Sequence, residues 1–235
     1  SVLTSDPSRP VLHIVIDDVG LHPTALDPFF EVDGLVAGST WAVLPMAEFA
    51  RASARRLDAA GGTLFIHVPM EPDDPSQMTP NLAPYLLVSD APGKVKKKLS
   101  AALTTLPPSL RRRLRGINNH QGSRFTAVRA SMNAVMDVLR RRRLCFLDSR
   151  TTAETIGRVT AKARRVPFVQ RDVFLDNVRK PKAIAKQLDK ALKHAKGHGH
   201  AVAIGHPYPE TAAALSTWLA RHRSEVVLEP LCMKR

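Results

Sequence analysis

The sequence predicts an α/β barrel in a single domain, with seven or eight strand–helix units, a mostly parallel sheet inside and helices outside. Three observations carry that expectation. Short apolar runs of strand length alternate with amphipathic stretches along nearly the whole chain. The first strand is not followed by a Gly-x-Gly-x-x-Gly turn, which leaves an open nucleotide-binding sheet unsupported. Six strand candidates end in Asp, His, Asn or Arg, as they would if those ends shared one polar face. A chain of 235 residues fits one such domain.

Taken in order, residues 11–16 form an unbroken apolar run interrupted only by His13, which is expected to be a core histidine. A second strand at 40–44 precedes a helix over 47–60, stopped by Gly61-Gly62 as a C-terminal glycine stops one. Residues 63–66 give a third strand, 69–84 a Pro-rich loop and 91–104 a helix. Residues 116–118 give a fourth strand. Thr126 is a candidate N-cap for a helix in which Val128, Met132, Val135, Met136 and Leu139 recur at helical spacing. A strand at 144–147, a helix at 152–164 and a strand at 166–169 follow. Ile184, Leu188 and Leu192 give the helix 181–196 one apolar face, and Gly197 and Gly199 end it. A strand at 200–204, a helix at 209–222 and a short strand at 226–228 complete the chain. Residues 1–10 are polar with prolines and read as a linker or trimmed tail ahead of a barrel domain over 11–235.

Aromatic residues make up only 5% of the chain, so aliphatic side chains must build the core. No stretch approaches the roughly 18 apolar residues of a membrane-spanning helix. Cys145 and Cys232 suggest neither a disulfide framework nor a thiolate metal site, and Cys145, inside an apolar run, is expected to be a buried thiol. The formal net charge is +14, with basic clusters at 94–98, 111–115, 140–143 and 180–196. Such charge suits an anionic partner, and equally suits solvated helix faces and helix C-termini. The clusters lack interleaved aromatics and no nucleic-acid module is recognisable, which argues against specific nucleic-acid binding. His194, His198 and His200 form a patch around a helix end and read as a solvated terminus.

The polar strand ends carry the functional reading. They are Asp17-Asp18, His67, Asn118 to Arg124, Asp148-Ser149-Arg150, Arg171-Asp172 with Asp176-Asn177, and His206. In a parallel barrel these ends line one mouth, where active sites are built. Asp18, His67 and His120 form a carboxylate–imidazole set that suits Zn²⁺ or a related divalent ion with a position left open for water. Asp17 could accept a proton from that water, and His206 could protonate a leaving group or stabilise an oxyanion. Asp148 with Arg150 could equally be a structural ion pair, and Asp176-Asn177 an Asx turn.

Six blocks in order carry a family resemblance: Ile14 to Gly20 (IVIDDVG), His67 to Pro72 (HVPMEP), Gly116 to Arg124 (GINNHQGSR), Phe146 to Thr152 (FLDSRTT), Arg171 to Asn177 (RDVFLDN) and Ile204 to Pro207 (IGHP). The chain resembles the divergent polysaccharide deacetylases over roughly residues 11–231. That resemblance implies a deformed (β/α) barrel of the deacetylase and glycoside-hydrolase type, with Asp17 as base, Asp18 and histidines as metal ligands, and His206 as the late catalytic histidine. The family's usual His-x-x-x-His pair is absent: Glu71 stands four residues after His67, and His120 would supply the second imidazole from another strand end. The resemblance further implies removal of acetyl groups from a cell-envelope glycan in the periplasm or envelope, and the positive charge would suit an anionic one. Asn119, Ser123, Arg124, Asp148, Arg150, Arg171, Asp176 and Asn177 would then contact substrate. Two alternatives stand beside it: an amide or ester hydrolase with another substrate, and a catalytically silent barrel that binds a glycan or an envelope protein.

Overall fold

The first apolar run becomes β1 (Val11–Val19), which continues through both aspartates rather than stopping before them. Two short helices follow, α1 (Asp27–Phe30) and α2 (Leu35–Gly38), and then β2 (Thr40–Val43), α3 (Ala50–Ala59) and β3 (Thr63–Met70). The Pro-rich loop leads to α4 (Pro92–Leu103), α5 (Pro108–Arg111) and β4 (Gly116–Gln121). Next come α6 (Arg129–Arg142), β5 (Cys145–Asp148), α7 (Gly157–Arg164), β6 (Phe168–Gln170) and β7 (Val173–Phe174). The chain closes with α8 (Pro181–His198), β8 (His200–Gly205), α9 (Pro209–His222) and β9 (Val227–Leu228). The structure is a computed structural model that describes residues 9–233; residues 1–8, most of the expected tail, lie outside it.

Prolines open α4, α5, α8 and α9, where the missing N–H costs nothing and the fixed φ is already helical. Thr126 does not cap α6. The helix starts three residues later behind Val128, and the Thr126 hydroxyl instead donates to the Gly122 carbonyl at 2.9 Å. α7 begins five residues later than its pattern suggested, because Thr155 is drawn away to the Asp148 carboxylate at 2.6 Å.

All sheet pairings are parallel, in the order β6-β5-β4-β3-β2-β1-β8-β7, with β9 pairing to β1 beside that path. β6 and β7 are separated by Arg171-Asp172 alone. The Arg171 amide donates to the Asp148 carbonyl at the end of β5 (3.0 Å), and the Asp172 amide donates to the Val202 carbonyl of β8 (2.9 Å). One extended segment thus leans on β5 with its first half and on β8 with its second, closing the ring by splitting. This is the deformed (β/α) barrel, with eight strands on the path but only seven passes of the chain.

Strand alternation sorts the side chains. Val15, Ala42, Phe65, Leu147, Val202 and Ile204 share the inner apolar cluster. The larger cluster lies between the strands and the helices, where α6 buries Met132, Val135, Met136 and Leu139 and α8 buries Ile184, Leu188 and Leu192. Two residues further along the same inner faces stand Asp17, His67, Ser149 and His206, joined on β4 by Asn118 and His120. The polar mouth is therefore the next layer above an apolar plug.

Cys145 is buried, as expected, but it is not a thiol. It forms a disulfide with Cys232, with Cα atoms 6.5 Å apart and the two residues 87 positions apart in sequence. The tail after β9 folds back beneath the barrel, where the Leu231 amide donates to the Thr40 hydroxyl at 2.8 Å, and that return brings the sulfurs together. Gly116 makes room for it: a Cβ there would lie 2.6 Å from the Cys145 sulfur and 2.7 Å from the Phe65 ring. His13 is half-buried rather than a full core residue. It sits at this lower end with Nδ1 2.7 Å from the Glu229 carbonyl, and burial pushes its pKa down.

Candidate metal and catalytic site

The two aspartates are adjacent, so a regular strand would aim them at opposite faces. β1 avoids this with a register shift between Ile16 and Val19 and with Asp18 in a left-handed conformation (φ 55°). A bulge of this kind re-aims a side chain, and here both carboxylates reach the mouth. His67 projects from β3 beside its register partner Asn118. The Asn118 amide nitrogen donates to Asp17 Oδ1 (2.8 Å) and to Ser149 Oγ (3.1 Å), so its carbonyl oxygen is the atom that faces His67 Nδ1 at 2.9 Å. That fixes the proton on Nδ1 and leaves the Nε2 lone pair pointing into the site.

His67 Nε2 lies 3.4 Å from Asp18 Oδ1 and 3.2 Å from His120 Nδ1, and His120 Nδ1 lies 3.0 Å from the same Asp18 oxygen. The three ligand atoms are all within 4.8 Å of one another. Asp18 Oδ1 is buried and, despite both imidazoles nearby, has no partner in hydrogen-bonding geometry. Three facing donor atoms, one of them a buried, unpartnered oxygen, fit a divalent cation, and a set of two nitrogens and one carboxylate suits Zn²⁺. Burial works to raise the Asp18 pKa, but the His120 and His67 imidazoles outweigh it and hold the carboxyl well below its usual range.

Asp17 is deeply buried. That burial pushes its pKa up against the opposing pull of His67 and His206. Its Oδ2 lies 3.6 Å from His67 Nε2. Across the mouth, His206 Nε2 lies 3.8 Å from Asp18 Oδ2. Asp176 holds His206 at two points: Oδ1 lies 2.9 Å from Nδ1, and Oδ2 accepts from the His206 amide at 2.6 Å and from the Thr211 hydroxyl at 2.8 Å. Burial disfavours the imidazolium, but Asp176, then Asp18 and Asp17, outweigh it and raise the His206 pKa to about 9. The site thus holds a buried carboxylate with raised proton affinity opposite a histidine that keeps its proton.

The other expected contact residues fall around this centre. Asn119 faces away from the mouth, accepting from the Ser149 amide (2.9 Å) and donating to the Gln121 carbonyl (2.7 Å). Ser123 accepts from the Asp73 amide at 2.8 Å, and Arg124 pairs with Glu71 at 2.9 Å. Glu71 also accepts from the Val88 amide at 2.6 Å. Asp148 accepts from the Arg150 amide and the Thr155 hydroxyl and, among the described residues, forms no ion pair. Arg171 donates to the Ser149 and Arg150 carbonyls at 2.7 and 2.8 Å. Arg150 and Asn177 are exposed. Asp17, Asp18, His67, His120, Asp176 and His206 therefore meet directly. Asn119, Ser123, Arg124, Asp148 and Arg171 brace the loops, and Arg150 and Asn177 stay open to solvent. Asn118 and Ser149 stand among the expected polar strand ends but without an expected role, and Thr211 is not among them. For Asn118 the two-residue period was the available signal, since it shares its inward face with His120.

A parallel barrel with this mouth defines the polysaccharide-deacetylase-like class of folds. The sequence matches the family model of divergent polysaccharide deacetylases over residues 14–232, and the chain belongs to that family. It is 31% identical over 217 residues to an uncharacterized protein of Haemophilus influenzae, covering 92% of this chain and 74% of that protein. It is 33% identical over 204 residues to the uncharacterized protein YibQ of Escherichia coli, covering 87% of this chain and 60% of that one, so it spans about three-fifths of that relative's length. Its fold matches the crystal structure of the uncharacterized protein ATU2773 from Agrobacterium tumefaciens at a TM-score of 0.86 and 23% identity, covering 95% of this chain and 88% of that one.

Proposed function

We propose that the protein is a metal-dependent hydrolase that removes acetyl groups from a cell-envelope glycan. The observation that carries this reading is the buried, unpartnered Asp18 oxygen facing His67 Nε2 and His120 Nδ1, with Asp17 alongside. Asp18, His67 and His120 would hold the ion; when bound, it would polarise the acetyl carbonyl and ease deprotonation of water. Asp17, held by Asn118, takes the proton from the attacking water. The water oxygen adds to the carbonyl carbon, and the C–N or C–O bond to the sugar breaks. His206, steadied by Asp176, gives its proton to the departing nitrogen or oxygen, leaving acetate and a free amine or hydroxyl. Arg150 and Asn177 would contact the glycan directly, while Asn119, Ser123, Arg124, Asp148 and Arg171 shape its groove through the loops they brace. The Cys145–Cys232 disulfide supports an oxidising compartment such as the periplasm.

The test is acetate release from acetylated glycans by Zn²⁺-loaded protein, with metal content measured in parallel. Asp17→Asn should keep the metal and lose acetate release. Failure of the wild type to bind a divalent ion after Zn²⁺ or Ni²⁺ loading would sink the proposal, and retention of metal in His120→Ala would sink the ligand assignment. One observation favours a second reading, a barrel that binds glycan without cleaving it: Glu71, four residues after His67, is committed to Arg124 and Val88. Metal and glycan binding without hydrolysis of any acetyl ester or amide would select that reading.

A further inference from the structure

At the end of the barrel opposite the mouth lies a cleft of about 400 Å³ that the reaction does not use. Its walls carry Arg111, Arg112, Arg115, Arg142 and Arg143. The two runs are 27 or more residues apart in sequence, since 142 − 115 = 27. They meet because each immediately precedes one of two neighbouring parallel strands, with Gly116 of β4 in register with Cys145 of β5. Among the described residues no carboxylate lines the cleft. Among the described residues none of the five arginines has an acidic partner, although Arg113, within the same run, is paired with Asp58 at 2.6 Å.

Gathering five guanidinium groups around one concavity without counter-charge is repulsive. Helix ends account for some of them: Arg142 lies in the last turn of α6 with Arg143 as its C-cap, and Arg111 and Arg112 close the single turn of α5, whose dipole is small, while Arg115 belongs to no helix. The volume is that of a small-ligand site rather than a flat surface. The planar fork of arginine matches phosphate oxygens two at a time. Among the described residues no aromatic side chain lines the walls, so bases would find nothing there to stack on. We propose that this arginine-lined cleft binds a ligand carrying two or more phosphate groups.

The test is calorimetric titration of the whole protein with inorganic tripolyphosphate and with orthophosphate. Saturable binding of tripolyphosphate, tighter than orthophosphate and weakened by added salt, is expected. The triple variant Arg112→Gln, Arg142→Gln, Arg143→Gln should weaken it at least about tenfold, because it removes charge-assisted hydrogen bonds. The exposed control Arg55→Gln, Arg129→Gln, Arg221→Gln removes equal charge and should change it less than about twofold. Equal loss in both variants, or binding that survives the cleft variant, overturns the proposal in favour of diffuse charge or the catalytic mouth. Tighter binding of a single-stranded oligonucleotide, lost in the same variant, overturns it in favour of nucleic acid. Two arms separate the sources of phosphate. Co-sedimentation with vesicles containing cardiolipin, whose headgroup carries two phosphates, that tripolyphosphate reverses supports a lipid headgroup, whereas tripolyphosphate binding without co-sedimentation supports a soluble ligand. Should the triple variant fold poorly, phenylglyoxal modification of the wild type reads the same site: tripolyphosphate should protect Arg112, Arg142 and Arg143 but not the control arginines, and uniform protection overturns the proposal.

Discussion

Asn118 presents its carbonyl oxygen to His67 Nδ1 at 2.9 Å and is thereby the residue that sets which nitrogen of His67 faces the site. Its amide nitrogen simultaneously restrains Asp17 and Ser149, so one wholly buried side chain ties β4 to β1, β3 and the end of β5.

Replacing Asn118 with Ala leaves His67 Nδ1 and Asp17 Oδ1 buried without these partners. The expected cost is about 2–4 kcal/mol of stability, read by urea unfolding. Metal affinity should fall roughly 10–100-fold, read by competition with a chelating dye, because the supporting bond that orients the ligand is gone. Unchanged affinity in a folded variant would show that His67 needs no such support.

Asp176 acts on the other side of the mouth. Asp176→Asn keeps a similar shape but removes the negative charge beneath His206. Under the proposed reaction, kcat for acetate release should drop about 10²-fold or more while KM changes little, since proton donation is lost and substrate contacts are not. A variant that raises KM alone would place Asp176 in binding rather than in support of the acid.

The disulfide joins residues separated by 87 positions, so its removal frees a long segment in the unfolded chain. Cys232→Ser is expected to cost about 2–5 kcal/mol. Reductant should shift the wild-type urea midpoint towards that of the variant and leave the variant's midpoint where it is. A wild-type midpoint indifferent to reductant would count against the bond.

Asp90 gives a pH dependence away from the site. Burial works to raise its pKa, but Lys94, Lys98 and the Leu87 amide outweigh it and hold the carboxyl below its ordinary value of 3.8. The folded pKa is therefore the lower one. The stabilisation is fully present above the unfolded pKa and is lost as pH falls through the folded value. Lys94 is largely exposed, which screens its share. Asp90→Asn should cost about 1 kcal/mol at neutral pH, and the difference from wild type should shrink as pH falls through the folded value. A penalty that persists in acid would assign Asp90 a packing role instead.

The sequence by itself determined the barrel, because alternating strand-length and helix-length apolar patterns leave few ways to bury both faces of a parallel sheet. It also pointed to the six groups that meet at the mouth, Asp17, Asp18, His67, His120, Asp176 and His206, because these polar residues follow buried strands whose ends share one face. Only the tertiary structure decided how they divide. Asp17 and Asp18 are neighbours in sequence, and it took a bulge with a left-handed residue to bring both to one site. Asn119 looked equivalent to Asn118, yet strand parity turns the first outward and makes the second the support of the ligand set. Arg124 is an expected substrate contact, and the loop after β3 also brings Glu71 against its exposed guanidinium. Cys145 read as a thiol because its partner is distant along the chain and arrives only when the tail returns beneath the barrel. For Arg124 and Cys145 the deciding quantity was a contact between segments far apart in sequence, and local pattern carries no record of such contacts.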